Sequence, residues 1–150
     1  MDARYRTRPA APADAEALAR LERRCFSDPW STASFREALR SEWTVALVAE
    51  DAGGSVAGYL IGRQIAGTAE ILNVAVRPED RRRGLGRTLL LAGLEALAER
   101  GAGEVFLEVR ESNHSAQALY REQGFEVVGH RARYYRRPEE GALVFRRARE

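Results

Sequence analysis

The stretch Arg81-Arg82-Arg83-Gly84-Leu85-Gly86-Arg87 places four arginines and two glycines in seven positions. An apolar run, Ile71 to Val76, precedes it and is closed by Arg77-Pro78. Leu89 to Leu97 follows, with leucines at helical spacing. A strand, a basic glycine-bearing loop and a helix in that order build an anion site. Glycine lets the backbone approach a ligand closely, the first N–H groups of the helix point at it, and the helix dipole favours negative charge. Arginine adds fork-shaped donors that suit phosphate. The loop lacks the lysine and Ser/Thr of a Walker sequence and the glycine spacing of a dinucleotide fingerprint. Taken alone, it fits a solvated turn that caps a helix equally well.

Other reactive side chains have plain alternatives too. Glu108, in the middle of a strand-like run Glu104 to Arg110, shares a face with Phe106 and Arg110 at period two, so a solvent-facing pair with Arg110 is the simple expectation. Ala116 and Tyr120 lie one helical turn apart, which suits a core tyrosine. Asn113 has the type of a helix cap. Cys25 falls on the apolar face of a helix and reads as a small core residue. His114 and His130 are too few and too far apart, with the lone Cys25, to suggest a metal site. No Ser–His–Asp or Cys–His set is evident, so direct transfer is expected rather than an acyl-enzyme.

The elements that would position these groups follow from periodicity. Arg4 to Arg8 alternates and is expected to be a strand ended by Pro9. Pro12 to Cys25 carries Ala17, Leu18, Leu21 and Cys25 at three-to-four spacing, an amphipathic helix. Phe26-Ser27-Asp28-Pro29-Trp30 breaks it, and a short helix capped by Ser31 or Ser34 turns Phe35, Ala38 and Leu39 inward. Trp43 to Glu50 and Val56 to Ile65 are strands joined by the turn Asp51-Ala52-Gly53-Gly54. Glu70 to Val76 is a strand, and the leucine helix runs to Arg100 with Gly101 as its stop. Glu104 to Arg110 is a strand, Asn113 to Tyr120 a short helix ended by Gly124, and Phe125 to His130 and Ala142 to Phe145 complete the set. Strands that meander and then alternate with helices suggest a mixed sheet covered by helices.

The chain has 150 residues, 45% of them hydrophobic and 31% charged, as in a soluble globular protein of one domain spanning 1–150. No run is long enough to span a bilayer, and Met1 to Arg6 lacks the apolar core of a signal peptide. A single cysteine excludes an internal disulfide and fits the cytoplasm. All 24 basic residues are arginine, yet the net charge is only +2. Arg131 to Arg137 and Arg146 to Arg149 could touch nucleic acid, but the acidic residues nearly balance them, so a solvated surface is expected there.

The pattern Gln/Arg-x-x-Gly-x-Gly/Ala, here Arg81-x-x-Gly84-x-Gly86, resembles the acetyl-CoA pyrophosphate loop of the GNAT superfamily of N-acetyltransferases. Leu107-Glu108-Val109-Arg110-x-x-Asn113 and Ala118-Leu119-Tyr120-x-x-x-Gly124-Phe125 resemble its second half. Together with Cys25-Phe26-x-x-Pro29-Trp30-Ser31 and Tyr134-Tyr135 they are similar to the RimI-type branch, which acetylates the N-terminal alanine of a small-subunit ribosomal protein.

The resemblance implies an α/β (α+β) GNAT fold, with a mixed, mostly antiparallel sheet of about six to seven strands, about four helices, and a splay at the acetyl-CoA site. It implies acetyl-CoA as co-substrate and no metal. Glu108 would be the general base and Tyr120 the acid that protonates the departing thiolate. Val74, Ala75 and Val76 would hold the pantetheine arm by main-chain groups, and an N–H there would polarise the thioester carbonyl. Arg82, Arg83, Gly84, Leu85, Gly86 and Arg87 would hold the pyrophosphate, and Asn113 would touch CoA. Arg81 would orient the loop or meet solvent. Phe26, Pro29, Trp30 and Tyr134 would shape the acceptor groove.

The expected partner is a ribosomal-protein N-terminus, met by a monomer or weak dimer, with no membrane and no direct nucleic-acid binding. Protein lysines or a small amine are alternative acceptors, and a non-catalytic acyl-CoA or RNA binder is the alternative from another class. A free α-amine, with a pKa of about 7.8, is about one-third neutral near neutral pH, whereas lysine, at about 10.4, is neutral at roughly the 0.1% level. That tilts the balance towards an N-terminus. Two departures bear on the acceptor: Gly141 stands before Ala142-Leu143-Val144 where the branch has an acidic residue, and Gly67-Thr68-Ala69 is less acidic than is usual.

Overall fold

The computed structural model describes residues 4–148. Its elements are β1 (Arg6–Pro9), a 3-10 turn (Pro12–Asp14), α1 (Ala15–Cys25), α2 (Thr32–Arg40), β2 (Thr44–Glu50), β3 (Val56–Ile65) and β4 (Thr68–Val76). A second 3-10 turn (Pro78–Asp80) follows, then α3 (Leu85–Glu99), β5 (Glu104–Arg110), α4 (His114–Glu122), β6 (Glu126–Tyr135) and β7 (Glu140–Ala148). The strands form a seven-stranded sheet in the order β1-β2-β3-β4-β5-β7-β6. Every neighbouring pair is antiparallel except β4–β5. This is the mixed, mostly antiparallel sheet with four α-helices that the sequence implied.

Each face of the sheet has its own core. On one, Leu85, Leu89, Leu90, Leu94 and Leu97 of α3 cover Leu60, Ile71, Val105 and Leu107. On the other, Leu18 and Leu21 of α1 and Phe35 of α2 cover Val48, Tyr59 and Ile61. The α3 contact is close: a Cβ at Gly93 would lie 2.8 Å from the Leu60 side chain, so only glycine lets the helix settle there. Burying one such large side chain contributes about 1.5–3 kcal/mol.

The parallel pair β4–β5 positions the site. Its register runs only from Thr68↔Glu104 to Ile71↔Leu107. Beyond that point β4 stays on β3 as far as Gly58↔Val76, and β5 stays on β7 as far as Arg110↔Ala142. The two halves of the sheet therefore part, and the edges at 72–76 and 108–110 face each other without pairing. A bulge in β4, opposite Ile61 and Gly62 of β3, leaves Leu72 without a register partner at the start of the split.

Several boundaries differ from expectation, each for a physical reason. Pro9 lies within β1 rather than after it, because β1 is an edge strand where a missing N–H is tolerated. Pro12 to Cys25 begins as a 3-10 turn, where Asp14 accepts from the Ala11 N–H at 2.8 Å. β4 starts at Thr68. The largest difference is β6, which extends to Tyr135, with β7 lengthened to match. Nearly every residue of β6 is exposed, so it shows no apolar alternation, and its pairing with β7 holds it. The expected short helix continues past Tyr120 to Glu122. Arg149, at the end of one basic cluster, lies outside the described residues.

Candidate active site

A cleft of about 760 Å³ fills the split. Its walls come from α1 (Glu22, Cys25), the α1–α2 loop (Phe26, Trp30), β4 (Leu72 to Val74), β5 (Leu107 to Arg110) and Asn113. Tyr120 of α4, with Tyr134 and Tyr135 of β6, completes them. Six side chains expected at the site, Glu108, Tyr120, Asn113, Phe26, Trp30 and Tyr134, thus meet in one cavity together with Val74. Pro29 is exposed and outside the wall, and Ala75 is buried towards α1 and α2.

Glu108 extends into this space with its side chain 23% exposed. Its Oε2 is buried and makes no hydrogen bond. The Arg131 Nε lies 3.0 Å from that oxygen, an ion pair whose angle falls outside hydrogen-bond geometry. The expected pairing with Arg110 is corrected: Arg110 pairs with Glu140 at 3.2 Å and donates to the Pro138 and Arg136 carbonyls, each at 3.0 Å. Arg110 also lies over the Tyr135 ring, 4.5 Å from its centroid. Burial, then the nearby Glu108 charge, raises the phenols of Tyr134 and Tyr135 above the ordinary tyrosine range.

Tyr120 is both packed in the core and present on the cleft wall. Its ring packs against Phe125 at 5.8 Å and Phe145 at 6.1 Å, while the residue also lines the cleft. Burial pushes its phenol up to about 12, so it holds its proton at any physiological pH. Asn113 is likewise both cap and wall: its side chain accepts from the Ala116 N–H at 3.2 Å. Cys25 is not the core residue expected. It is half-buried on the cleft wall, burial raises its thiol, and the Arg81 Nη2 lies 3.5 Å from its sulfur.

The arginine loop closes one end of the split. Gly84 takes a left-handed φ of +78° and opens α3, whose first bond runs from the Thr88 N–H to the Gly84 carbonyl at 3.0 Å. The N–H groups of Leu85, Gly86 and Arg87 therefore precede the helical ladder. A Cβ at Gly84 would meet nothing within 4 Å. At Gly86 it would make only ordinary contacts, 3.8 Å from Val76 at the end of β4 and from Leu119 on α4. The protein itself leaves room at both glycines, which fits a loop whose closest neighbour is a ligand.

The arginines divide by task. The Arg81 Nε donates to the Val76 carbonyl at 3.1 Å and ties the loop to β4. Arg83 reaches the Tyr5 hydroxyl at 3.3 Å, and Tyr5 in turn donates to Asp80. Arg87 pairs with Glu122 of α4. Arg82, exposed and at φ +65°, has no partner among the described residues. A free guanidinium beside unpaired helix N–H groups, at the end of a split sheet, suits a phosphorylated, arm-bearing ligand such as acetyl-CoA.

Among the residues that the sequence reading did not single out are Glu22 and Asn73 on the wall, and Arg131, which pairs with Glu108. Glu22 had a signal, since it sits four residues after Leu18 and three before Cys25, on the apolar stripe of α1. Its partners, Tyr59, Asn73 and the Trp30 N–H, come from three other segments. Among the described residues, no group of three or more His, Cys, Asp and Glu side chains could hold a metal ion, and no helix is long and apolar enough to cross a membrane.

The chain is similar to proteins of known activity over most of its length. It is 40% identical over 141 residues to the N-alpha-acetyltransferase RimI of Mycobacterium tuberculosis, covering 90% of this chain and 87% of that one. To the putative ribosomal protein bS18-alanine N-acetyltransferase of Bacillus subtilis it is 37% identical over 132 residues, covering 87% of each. The crystal structure of a ribosomal-protein-alanine N-acetyltransferase from Escherichia coli superposes with a TM-score of 0.89 at 30% identity, covering 96% of this chain and 93% of that one. The family model described as acetyltransferase (GNAT) matches residues 15–125, a span that holds α1, the split, the arginine loop and Tyr120. On that match and these identities, the chain belongs to the acetyltransferase (GNAT) family.

Proposed function

We propose that this acetyltransferase moves the acetyl group of acetyl-CoA onto the N-terminal alanine of a ribosomal protein of the bS18 kind, in the cytoplasm. The observation that carries the reading is Glu108 Oε2, a buried carboxylate oxygen without a hydrogen bond, facing the cleft at the point where the sheet parts. The Arg131 guanidinium beside it supplies charge but no hydrogen bond, and a buried acceptor so placed is one that a ligand or a proton can take up. The names of the relatives supply the acceptor.

The chemistry is a direct transfer. The diphosphate lies on the Leu85 to Arg87 N–H groups with Arg82, Arg83 and Gly84 around it, and Asn113 touches the arm from the opposite side. The pantetheine arm pairs with the free β4 edge at Val74 to Val76, in place of the strand that β5 would have supplied. The acceptor enters past Phe26, Pro29, Trp30 and Tyr134. Glu108 takes a proton from the α-ammonium, directly or through water, and the neutral nitrogen attacks the thioester carbon. A main-chain N–H of β4 holds the carbonyl oxygen as negative charge develops. That attack forms the C–N bond; collapse then breaks C–S, and Tyr120 gives its proton to the sulfur as free CoA leaves. The nitrogen's second proton leaves through solvent and restores the Tyr120 phenol, and Glu108 releases the first, so the amide leaves neutral and one net proton is freed.

The deciding experiment is intact-mass analysis of candidate ribosomal proteins after incubation with the protein and acetyl-CoA. One acetyl group, mapped to the amine of an N-terminal alanine, is the expected product. Acetylation confined to lysine side chains, or CoA bound without turnover, would replace this reading.

A further inference from the structure

We propose that Glu22 is a positioning residue that ties the acceptor side of the cleft to its acetyl-CoA side. Its carboxylate is 2% exposed and stands on the cleft wall. The Trp30 N–H donates to Oε2 at 3.0 Å. The Asn73 side-chain amide donates to both oxygens, at 3.0 and 3.1 Å. The Tyr59 hydroxyl donates to Oε1. The Trp30 N–H and the Asn73 NH2 can only donate, so they require acceptor oxygens at this place, although burial raises the Glu22 carboxyl above its ordinary range. No cation pairs with it among the described residues, which makes the anion costly to bury.

Filling space does not require that cost. Leu18 and Leu21 line the same helix face, and a leucine at position 22 would pack there without an anion to satisfy. What a carboxylate adds to the shared packing of Trp30 and Leu72 on that core is a direct hydrogen-bonded link between their two segments. Trp30 is the last residue before Ser31, which caps α2, so its N–H fixes the loop carrying Phe26 and Pro29. Asn73 lies next to the bulge of β4 and directly precedes Val74 to Val76, the edge assigned to the pantetheine arm. Both segments therefore answer to a single rigid group. Tyr59, in the core of β3, braces it from behind. A misplacement of about an ångström between reacting groups costs on the order of a hundredfold in rate, so a link of this kind acts on the rate itself and not only on folding.

The inference rests on the cleft being the site of acetyl transfer, and its test separates the two. Initial rates are measured on the full chain with acetyl-CoA and an alanine-starting acceptor peptide, beside thermal melting and calorimetric titration with acetyl-CoA. Glu22→Gln keeps the shape but turns an NH2 group towards donors. It is expected to lower kcat about tenfold to a hundredfold and to raise the KM for the peptide. Asn73→Ala removes only the β4 end of the tie and is expected to lower kcat with the KM for the peptide little changed. Because both cut the same link, the double variant should be little slower than Glu22→Gln alone. Wild-type kcat and KM in Glu22→Gln, whatever its melting temperature, would overturn the proposal and leave a core residue. If Glu22→Gln fails to fold, Asn73→Ala decides: a wild-type kcat there overturns the tie. A wild-type protein inert towards every acceptor would instead bring down the transfer reading, and this inference with it.

Discussion

The two walls of the cleft are made of different things. The β4–α3 wall is contiguous chain, Leu72 to Arg87, and offers mainly main-chain groups: a free strand edge, a left-handed glycine and the N-terminus of a helix. The β5–α4–β6 wall offers side chains, Glu108, Tyr120 and Tyr134, drawn from three separate elements, with Arg131 beside Glu108. On the proposed reading the first holds an arm and a phosphate group, and the second moves protons. Substitution should therefore separate binding from rate, with side-chain deletions on the second wall slowing turnover and backbone-directed changes on the first weakening acetyl-CoA.

The largest effect tests the second wall directly. Glu108→Gln removes the proposed base and keeps the volume, and should lower kcat by about 10²–10⁴, the range for a positioned acid or base. Acetyl-CoA affinity by calorimetry should stay within a few-fold, because the carboxylate faces the acceptor. An unchanged rate would remove Glu108 from the chemistry and erase the contrast.

Tyr120→Phe comes next. The phenol makes no hydrogen bond within the described residues, and the Phe125 and Phe145 contacts are made by the ring, so the melting temperature should barely move. The rate of thiolate departure should fall by roughly ten- to a hundredfold. Burial raises this phenol from 10.0 to about 12, which favours the neutral form. Its proton is therefore kept throughout the range below pH 10, and the associated stability is lost only as pH rises through the interval from 10.0 to about 12. A kcat profile in wild type should show no alkaline fall attributable to this residue below about pH 10. An alkaline limb near pH 8 that disappears in Tyr120→Phe would contradict its burial.

The same contrast explains what could be read from the chain in advance. The first wall is local: an apolar run, a glycine loop and a leucine stripe lie in order along one stretch, and period and glycine spacing report them. The second wall is not. Glu108 is visible as a glutamate in a strand with Arg110 on its face at period two, whereas the cation beside it is Arg131, brought over by β6. The length of β6 was hidden for a related reason: an exposed edge strand pairs through its backbone and carries no apolar alternation. Glu22 stood in plain view on the stripe of α1, yet the donors that make its burial tolerable lie at Trp30, Tyr59 and Asn73, and no helical period connects them.

A pair of glycine substitutions sharpens the binding side. Gly86→Ala meets only ordinary contacts within the protein, and alanine in the first turn of a helix should leave stability equal or raise it by up to about 1 kcal/mol. If the diphosphate approaches that backbone, acetyl-CoA should bind several-fold more weakly even so, with kcat at saturation retained. Gly84→Ala should behave differently, since a side chain at φ +78° costs about 1–2 kcal/mol in the fold itself. Unaltered affinity in a fully stable Gly86→Ala protein would mean that the phosphate lies elsewhere.

The smallest effect concerns the ion pair that occupies Glu108 while no acceptor is bound. Arg131 is 58% exposed and Glu108 23%, so the pair is worth at most about 1 kcal/mol. An acceptor α-ammonium seeking the same carboxylate oxygen has to displace the guanidinium, and that energy is charged against acceptor binding. Removing it in Arg131→Ala should lower the KM for the acceptor by no more than about fivefold, since 1.4 kcal/mol corresponds to about tenfold. The melting temperature and kcat should hardly change, because the Arg131 contact with the Tyr134 ring is an exposed one. A raised KM would reverse the sign of the argument: Arg131 would then be holding the acceptor peptide, and the second wall would bind as well as react.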